Sequence, residues 1–197
     1  MVVLQKEHHC FIQMLLAKGY MKEAEARDRF KTIAEQNHDR NFDEFWGSIN
    51  SEIGYTHLAL RRLKFPHDGQ LYIGIVNTEA DEPSKLGTSM SAVQLKYFSS
   101  LVSAIATDEI AAKEGVTSMA ALNVNDSAQQ SQPSSSQAVN NLNRAEREAS
   151  LQQLRNEGWL FLCDGRYTLG VRTFLELSNY LHSIAPEPVR KLWQDLV

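Results

Sequence analysis

The sequence predicts a mainly α-helical protein with small β-wings, an α+β chain that makes one helix-and-hairpin unit twice. Two stretches predict it. Residues 150–182 run as a polar-faced helix, a break at Gly158, a short apolar run from Trp159 to Cys163 and a turn at Asp164-Gly165. A second short run, Arg166 to Leu169, and an amphipathic helix follow. Asp-Gly between two β-capable runs is a strong hairpin signal, because both residues tolerate positive φ. The first half repeats the order, with a helix after Asn41, a run at Leu58–Arg61, Asp68-Gly69, and a run at Leu71–Ile75. Helix, hairpin wing and helix in this order is the back half of a winged-helix unit, so the predicted architecture is tandem winged-helix domains.

The elements follow in order. Phe11, Ile12, Met14, Leu15 and Leu16 form a dense apolar helical face that Gly19 ends by supplying a left-handed residue. A second helix is expected from Lys22 to Glu35, with Ala26, Phe30 and Ile33 inward, and then a polar break at 37–40. Asn41 reads as an N-cap, with Glu44 placed to close a capping box. The helix behind it puts Phe42, Phe45, Trp46, Ile49 and Ile53 on one face. Leu58 and Leu60, then Leu71, Ile73 and Ile75, alternate with the period of two of a half-buried strand.

Residues 77–88 read as a loop. Ser91 to Thr107 is an amphipathic helix carrying Leu95, Phe98, Leu101, Val102 and Ile105, and a small second helix is expected up to Leu122. Residues 123–143 are Ser, Gln and Asn almost throughout, too poor in apolar surface to offset the entropy of ordering, and read as a disordered insertion. The closing helix stripes Val171, Phe174, Leu175, Ser178 and Leu181, and Pro188 opens a last helix where a missing N–H costs nothing. Domain bounds are 1–80 and 88–185, with 186–197 a C-terminal helix.

Composition narrows the function. A formal charge of −4 with both signs interspersed gives no basic field and argues against whole-surface nucleic-acid binding. Two distant cysteines, Cys10 and Cys163, argue against a disulfide framework and for an intracellular setting. No run approaches the about 18 apolar residues of a spanning helix, and His8, His9 and Cys10 stand where a secretory signal needs its apolar core. Those three are the one ligand-type cluster, and neighbours on a helix diverge too far to share a metal. There is no glycine-rich phosphate loop, His-Glu-x-x-His pair or Gly-x-Ser-x-Gly, so no catalytic residue, cofactor site or metal site is assigned.

Two surface roles remain. Arg61, Arg62 and Lys64 on the first wing are the strongest basic cluster and could touch phosphates with salt-sensitive affinity. The competing reading is a charged wing edge protected against strand pairing, and it is favoured. Among the aromatics, Trp159 and Phe174 read as core, and Tyr180 and Trp193 as candidates for a partner interface. Cys163 reads as a small core hydrophobe.

Three clusters then resemble the non-SMC element 1 (Nse1) family, subunits of the SMC5–SMC6 complex. They are Glu157-Gly158-Trp159-Leu160, Gly165 to Gly170, and Phe174-Leu175-Glu176-Leu177 with Tyr180-Leu181. In the first half, Phe11 to Gly19, the helix with Phe42, Trp46 and Ile49, and the strand Tyr72 to Asn77 match in order and spacing. The resemblance implies a nuclear scaffold that docks a MAGE-like Nse3 subunit and a kleisin Nse4 subunit in DNA repair and chromosome maintenance. It also implies a full-length RING-type E3 ubiquitin ligase whose zinc sits in a C-terminal RING domain. With two cysteines and no Cys-x-x-Cys, these 197 residues cannot hold that zinc, and the expectation is a scaffold without its RING domain. The alternative is a winged-helix DNA-binding module using the basic wing.

Overall fold

A computed structural model describes residues 4–33, 41–78, 90–124 and 142–194. The chain divides into two compact units, Met1–Ala80 and Asp81–Gln194. The expected insertion falls almost wholly outside the described residues, as do the polar break at 37–40 and most of the 77–88 loop.

The first unit runs α1 (Lys6–Lys18), β1 (Tyr20–Lys22), α2 (Glu23–Ile33), α3 (Phe42–Ile53), β2 (Leu58–Lys64) and β3 (Leu71–Asn77). Gly19 ends α1 at φ 80°, its N–H on the Leu15 carbonyl at 2.7 Å. Asn41 caps α3, but its oxygen takes the Asp43 N–H at 3.0 Å. The cap is therefore an Asx-type bond two residues on, not one three residues on at Glu44. The sheet is antiparallel in the order β1-β3-β2. Strand β1, which was not expected, takes Lys22, so the second helix starts one residue later than expected, at Glu23. Three residues show no period of their own, and this strand exists through its pairing with β3.

Phe11, Phe30, Phe42 and Phe45 form the heart of this core, with ring centroids 4.7–6.0 Å apart and mostly edge-on. Leu60 and Ile73 cover it from the sheet. Leu63 and Val76 lie on the opposite face and are buried too, so β2 and β3 are not the half-buried strands expected. A period of two separates the faces of a strand and does not say that one is wet.

The second unit repeats the plan as α4 (Ala92–Ala106), α5 (Glu109–Glu114), β4 (Val116–Thr117), α6 (Ser118–Leu122), α7 (Arg144–Asn156), β5 (Leu160–Cys163) and β6 (Arg166–Leu169). Its sheet has the matching order β4-β6-β5. Asp164 and Gly165 carry φ of 50° and 76°, the paired positive values of a two-residue type I′ turn. In the first wing Phe65 N–H meets Gln70 C=O at 2.8 Å, so the loop is longer and only Gly69 is left-handed. Capping boxes open α4 at Ser91/Gln94 and α7 at Asn143/Glu146.

Trp159 is 1% exposed and stands 5.5 Å from Phe98 at the centre of the second core. The expected closing helix is two helices, α8 (Val171–Glu176) and α9 (Ser178–Ile184), and α10 (Glu187–Leu192) follows. The break at Leu177 keeps that side chain buried. Both units are winged helices, mainly α with a small three-stranded sheet.

Candidate docking and wing surfaces

The basic wing is built by β2, and the strand period distributes its charges. Arg62 and Lys64 share one face while Arg61 lies on the other, opposite Gly74. The three do not form one patch. Arg62 turns back over the helices. Its Nε stands 3.2 Å from Oε2 of the buried Glu23, close enough for charge pairing but not aligned as a hydrogen bond, and its Nη2 donates to Asp43. Arg27 completes the group, with Nε donating to Glu23 Oε1 at 2.8 Å and its guanidinium 4.5 Å from the Phe42 ring centroid. The Arg62 guanidinium lies 5.1 Å from the Trp46 centroid. That arrangement holds the Asp43 carboxyl below its ordinary range, first through the Arg62 hydrogen bond. Lys64 is exposed. A guanidinium already committed to two carboxylates and an aromatic ring is poorly placed to serve as a phosphate contact.

Within the same wing, Tyr72 donates to Asp68 at 2.8 Å, and burial with that bond pushes its phenol up to about 12. Burial pushes His67 down.

In the second unit the aromatic candidates separate. Trp193 is 7% exposed, with its ring edge-on to Phe174 at 5.4 Å, so the indole fills the unit's own interior. Tyr180, on α9, is half-buried and keeps part of its ring at the surface. Trp159 and Phe174 are buried. Arg172 stacks 4.2 Å from the Trp159 centroid and pairs with Glu176 at 2.5 Å. Burial nevertheless raises the Glu176 carboxyl above its ordinary range. Sequence gave no sign of the exposed Ile110 on α5 and Met119 on α6, since each sits in a helix too short to show a face.

Cys163 is exposed, not core. The strand alternation turns Leu160 inward and leaves Phe161 and Cys163 on the outer side, where Asp164 raises the thiol. Cys10 is exposed as well, and it belongs to the other unit. Among the described residues no group of three or more His, Cys, Asp or Glu could hold a metal, so these side chains do not fit a zinc site. No described helix is long and apolar enough to cross a membrane.

Residues 8–177 match the family described as "Nse1 non-SMC component of SMC5-6 complex". The chain is 25% identical over 195 residues to the human "Non-structural maintenance of chromosomes element 1 homolog", covering 96% of this chain and 68% of that protein. The Mus musculus homolog is 25% identical over 188 residues, 93% of this chain and 66% of its own length. For Xenopus laevis the figures are 25% over 186 residues, 91% and 64%. The chain thus spans about two thirds of the relatives it matches. A chain of a solved structure, "Nse1-Nse3-Nse4 complex", superposes with a TM-score of 0.74 at 23% identity, covering all of this chain and 78% of that one. With the matched span running through the first unit and into the second as far as residue 177, the chain belongs to the Nse1 family of non-SMC components of the SMC5-6 complex.

Proposed function

We propose that this chain is a scaffold subunit of an SMC5–SMC6 complex, docking an Nse3-like MAGE subunit and an Nse4-like kleisin in the nucleus during DNA repair and chromosome maintenance. The observation that carries this reading is the family match, which runs through both winged-helix units and not through one. A structurally similar chain solved within an Nse1-Nse3-Nse4 complex supports the choice of partners. Docking is packing: the rigid cores hold helix and wing surfaces in place, and partner subunits cover apolar side chains such as Tyr180, Ile110 and Met119. The 197 residues perform no catalysis themselves. Ubiquitin ligase activity, which the family resemblance implies, belongs to a zinc-binding RING module that these residues would position.

The test is co-purification with an Nse3-like and an Nse4-like subunit, washed at high salt. Apolar docking survives the wash, because salt screens exposed charges and leaves buried apolar contacts intact. A chain that washes off alone refutes the scaffold reading. The DNA-binding alternative is weakened by the commitment of Arg62 to Glu23 and Asp43.

A further inference from the structure

The outer edge of the first sheet is held by a side chain of the same unit. In an antiparallel ladder every second residue turns its N–H and C=O away from the neighbouring strand. On β2 the bonded register passes through His57 with Thr78 and Phe65 with Gln70. Leu58, Leu60, Arg62 and Lys64 therefore face outward, on a regular strand of seven residues. An edge of that length is a template for another strand unless something blunts it. The Asn50 side chain stands at its middle. Leu60 N–H donates to Asn50 Oδ1 at 2.7 Å, and Asn50 Nδ2 donates to the Leu60 carbonyl at 3.2 Å. One carboxamide thus makes the two bonds that an added strand would make at this position.

Helix packing does not call for an asparagine there. Asn50 lies one turn from Trp46 and one turn from Ile53, beside the apolar stripe of α3, and is half-buried. Asparagine is a poor residue for a helix interior, and alanine or leucine would serve α3 better. Either would leave the Leu60 N–H and C=O without their partner. The edge so opened fits a second copy of this chain. A two-fold axis at Leu60 sets Leu60 opposite Leu60 and Leu58 opposite Arg62, all of them outward residues. Lys64 then meets Thr56, so no like charges oppose across the pair. The axis passes through the residue that Asn50 occupies.

We propose that Asn50 is an edge cap, an autoinhibitory contact that holds the place of a fourth strand and keeps the first wing from pairing with a second copy of this chain. The contact is intramolecular and needs no ligand. With the edge closed, the chain meets other subunits singly. The proposal is independent of which subunits the chain assembles with.

The test compares the isotopically labelled full chain with its Asn50→Ala variant, following amide exchange residue by residue and association by sedimentation. In dilute solution Leu60 of the variant should exchange faster by about tenfold or more, while Leu63, paired with Tyr72 inside the ladder, keeps its rate. At millimolar concentration Leu60 of the variant should slow again as copies pair, and the parent should stay monomeric. Asn50→Asp is the companion variant. Its carboxylate still accepts the Leu60 N–H, but the donor is gone and a charge sits on the edge, so Leu60 should stay slow and the chain monomeric. Where Asn50→Ala loosens the whole unit, and Leu63 speeds up as well, the Asp variant decides. Leu60 exchange unchanged by Asn50→Ala, or equally fast in the Asp and Ala variants, overturns the proposal. So does an Asn50→Ala chain that stays monomeric at millimolar concentration, or a parent that itself pairs through β2.

Discussion

Arg62 and Glu23 meet across the first unit, a strand guanidinium 3.2 Å from the carboxylate of a helix residue that is only 6% exposed. The pair ties β2 to the start of α2, and Arg27 and Asp43 extend it. Its position decides how the basic wing behaves. Arg62→Ala leaves Glu23 with Arg27 alone. Breaking a fully buried pair costs about 3–5 kcal/mol. The partial exposure of Arg62 and the remaining Arg27 bond reduce this to about 1–2 kcal/mol. Chemical denaturation should show that loss, and an unchanged midpoint would mean the network is ornamental. Any drop in DNA retention by this variant must be read against its stability.

Gly170 should not tolerate a side chain. A Cβ there would overlap the Gly158 carbonyl and crowd the Trp159 backbone, while Gly170 N–H already bonds the Trp159 carbonyl at 2.8 Å. Backbone cannot rotate aside as a side chain can. Gly170→Ala is expected to cost about 2–3 kcal/mol, in the range of overpacked cores, readable as a lowered thermal midpoint. Gly165→Ala meets no neighbouring atom and pays for its φ of 76° alone, about 1 kcal/mol.

Glu176 gives a pH signature. Burial raises its folded carboxyl above the ordinary 4.5, with Arg172 opposing. Between the unfolded and folded values the folded state holds a proton the unfolded chain has released, so stability falls as pH rises through that window. Glu176→Gln removes this dependence. The variant should gain on the parent as pH climbs above about 4.5 and lose the advantage below it. Denaturation curves for both across the acid range check it, and a gap that widens toward low pH would contradict it. Asp43 works with the opposite sign: its folded carboxyl is lowered, so its contribution is present above 3.8 and lost as pH falls further.

Arg147 ties Leu122 and Val124 to Leu142. Its Nη1 donates to the carbonyls of Leu122 and Val124 at 2.8 Å, and its Nε to Leu142 at 3.2 Å, with the guanidinium 5.2 Å from the Tyr97 ring centroid. The described residues on either side of 125–141 therefore meet at one side chain. Replacing 125–141 with a short Gly-Ser linker should leave the thermal midpoint nearly unchanged, because closure entropy varies slowly with loop length. Arg147→Ala strands three carbonyls and should cost about 2 kcal/mol.

Much of the fold was legible because its signals are local. The Asp164-Gly165 turn, the Asn41 cap and the Phe42–Ile53 stripe each state their structure within a few residues. What was not legible is made by distant partners. Strands β1 and β4 are too short to carry a period and form only by pairing with β3 and β6. The turning of Arg62 onto Glu23, and of Asn50 onto Leu60, depends on helix and strand meeting in space. Trp193 reads as a surface anchor because tryptophan favours interfaces, and it is buried because its ring packs edge-on against Phe174, a residue of another helix, at 5.4 Å. Cys163 was misplaced by composition: an apolar run in a hairpin has an outer side too.

The central claim is that these two winged helices serve as docking surfaces whose contacts are apolar. Calorimetric titration of this chain into an Nse3-like subunit, repeated at several temperatures and salt concentrations, tests it most directly. The account predicts binding with a negative heat-capacity change and an affinity nearly flat in salt. No heat of association, or an affinity that collapses as salt rises, would contradict it.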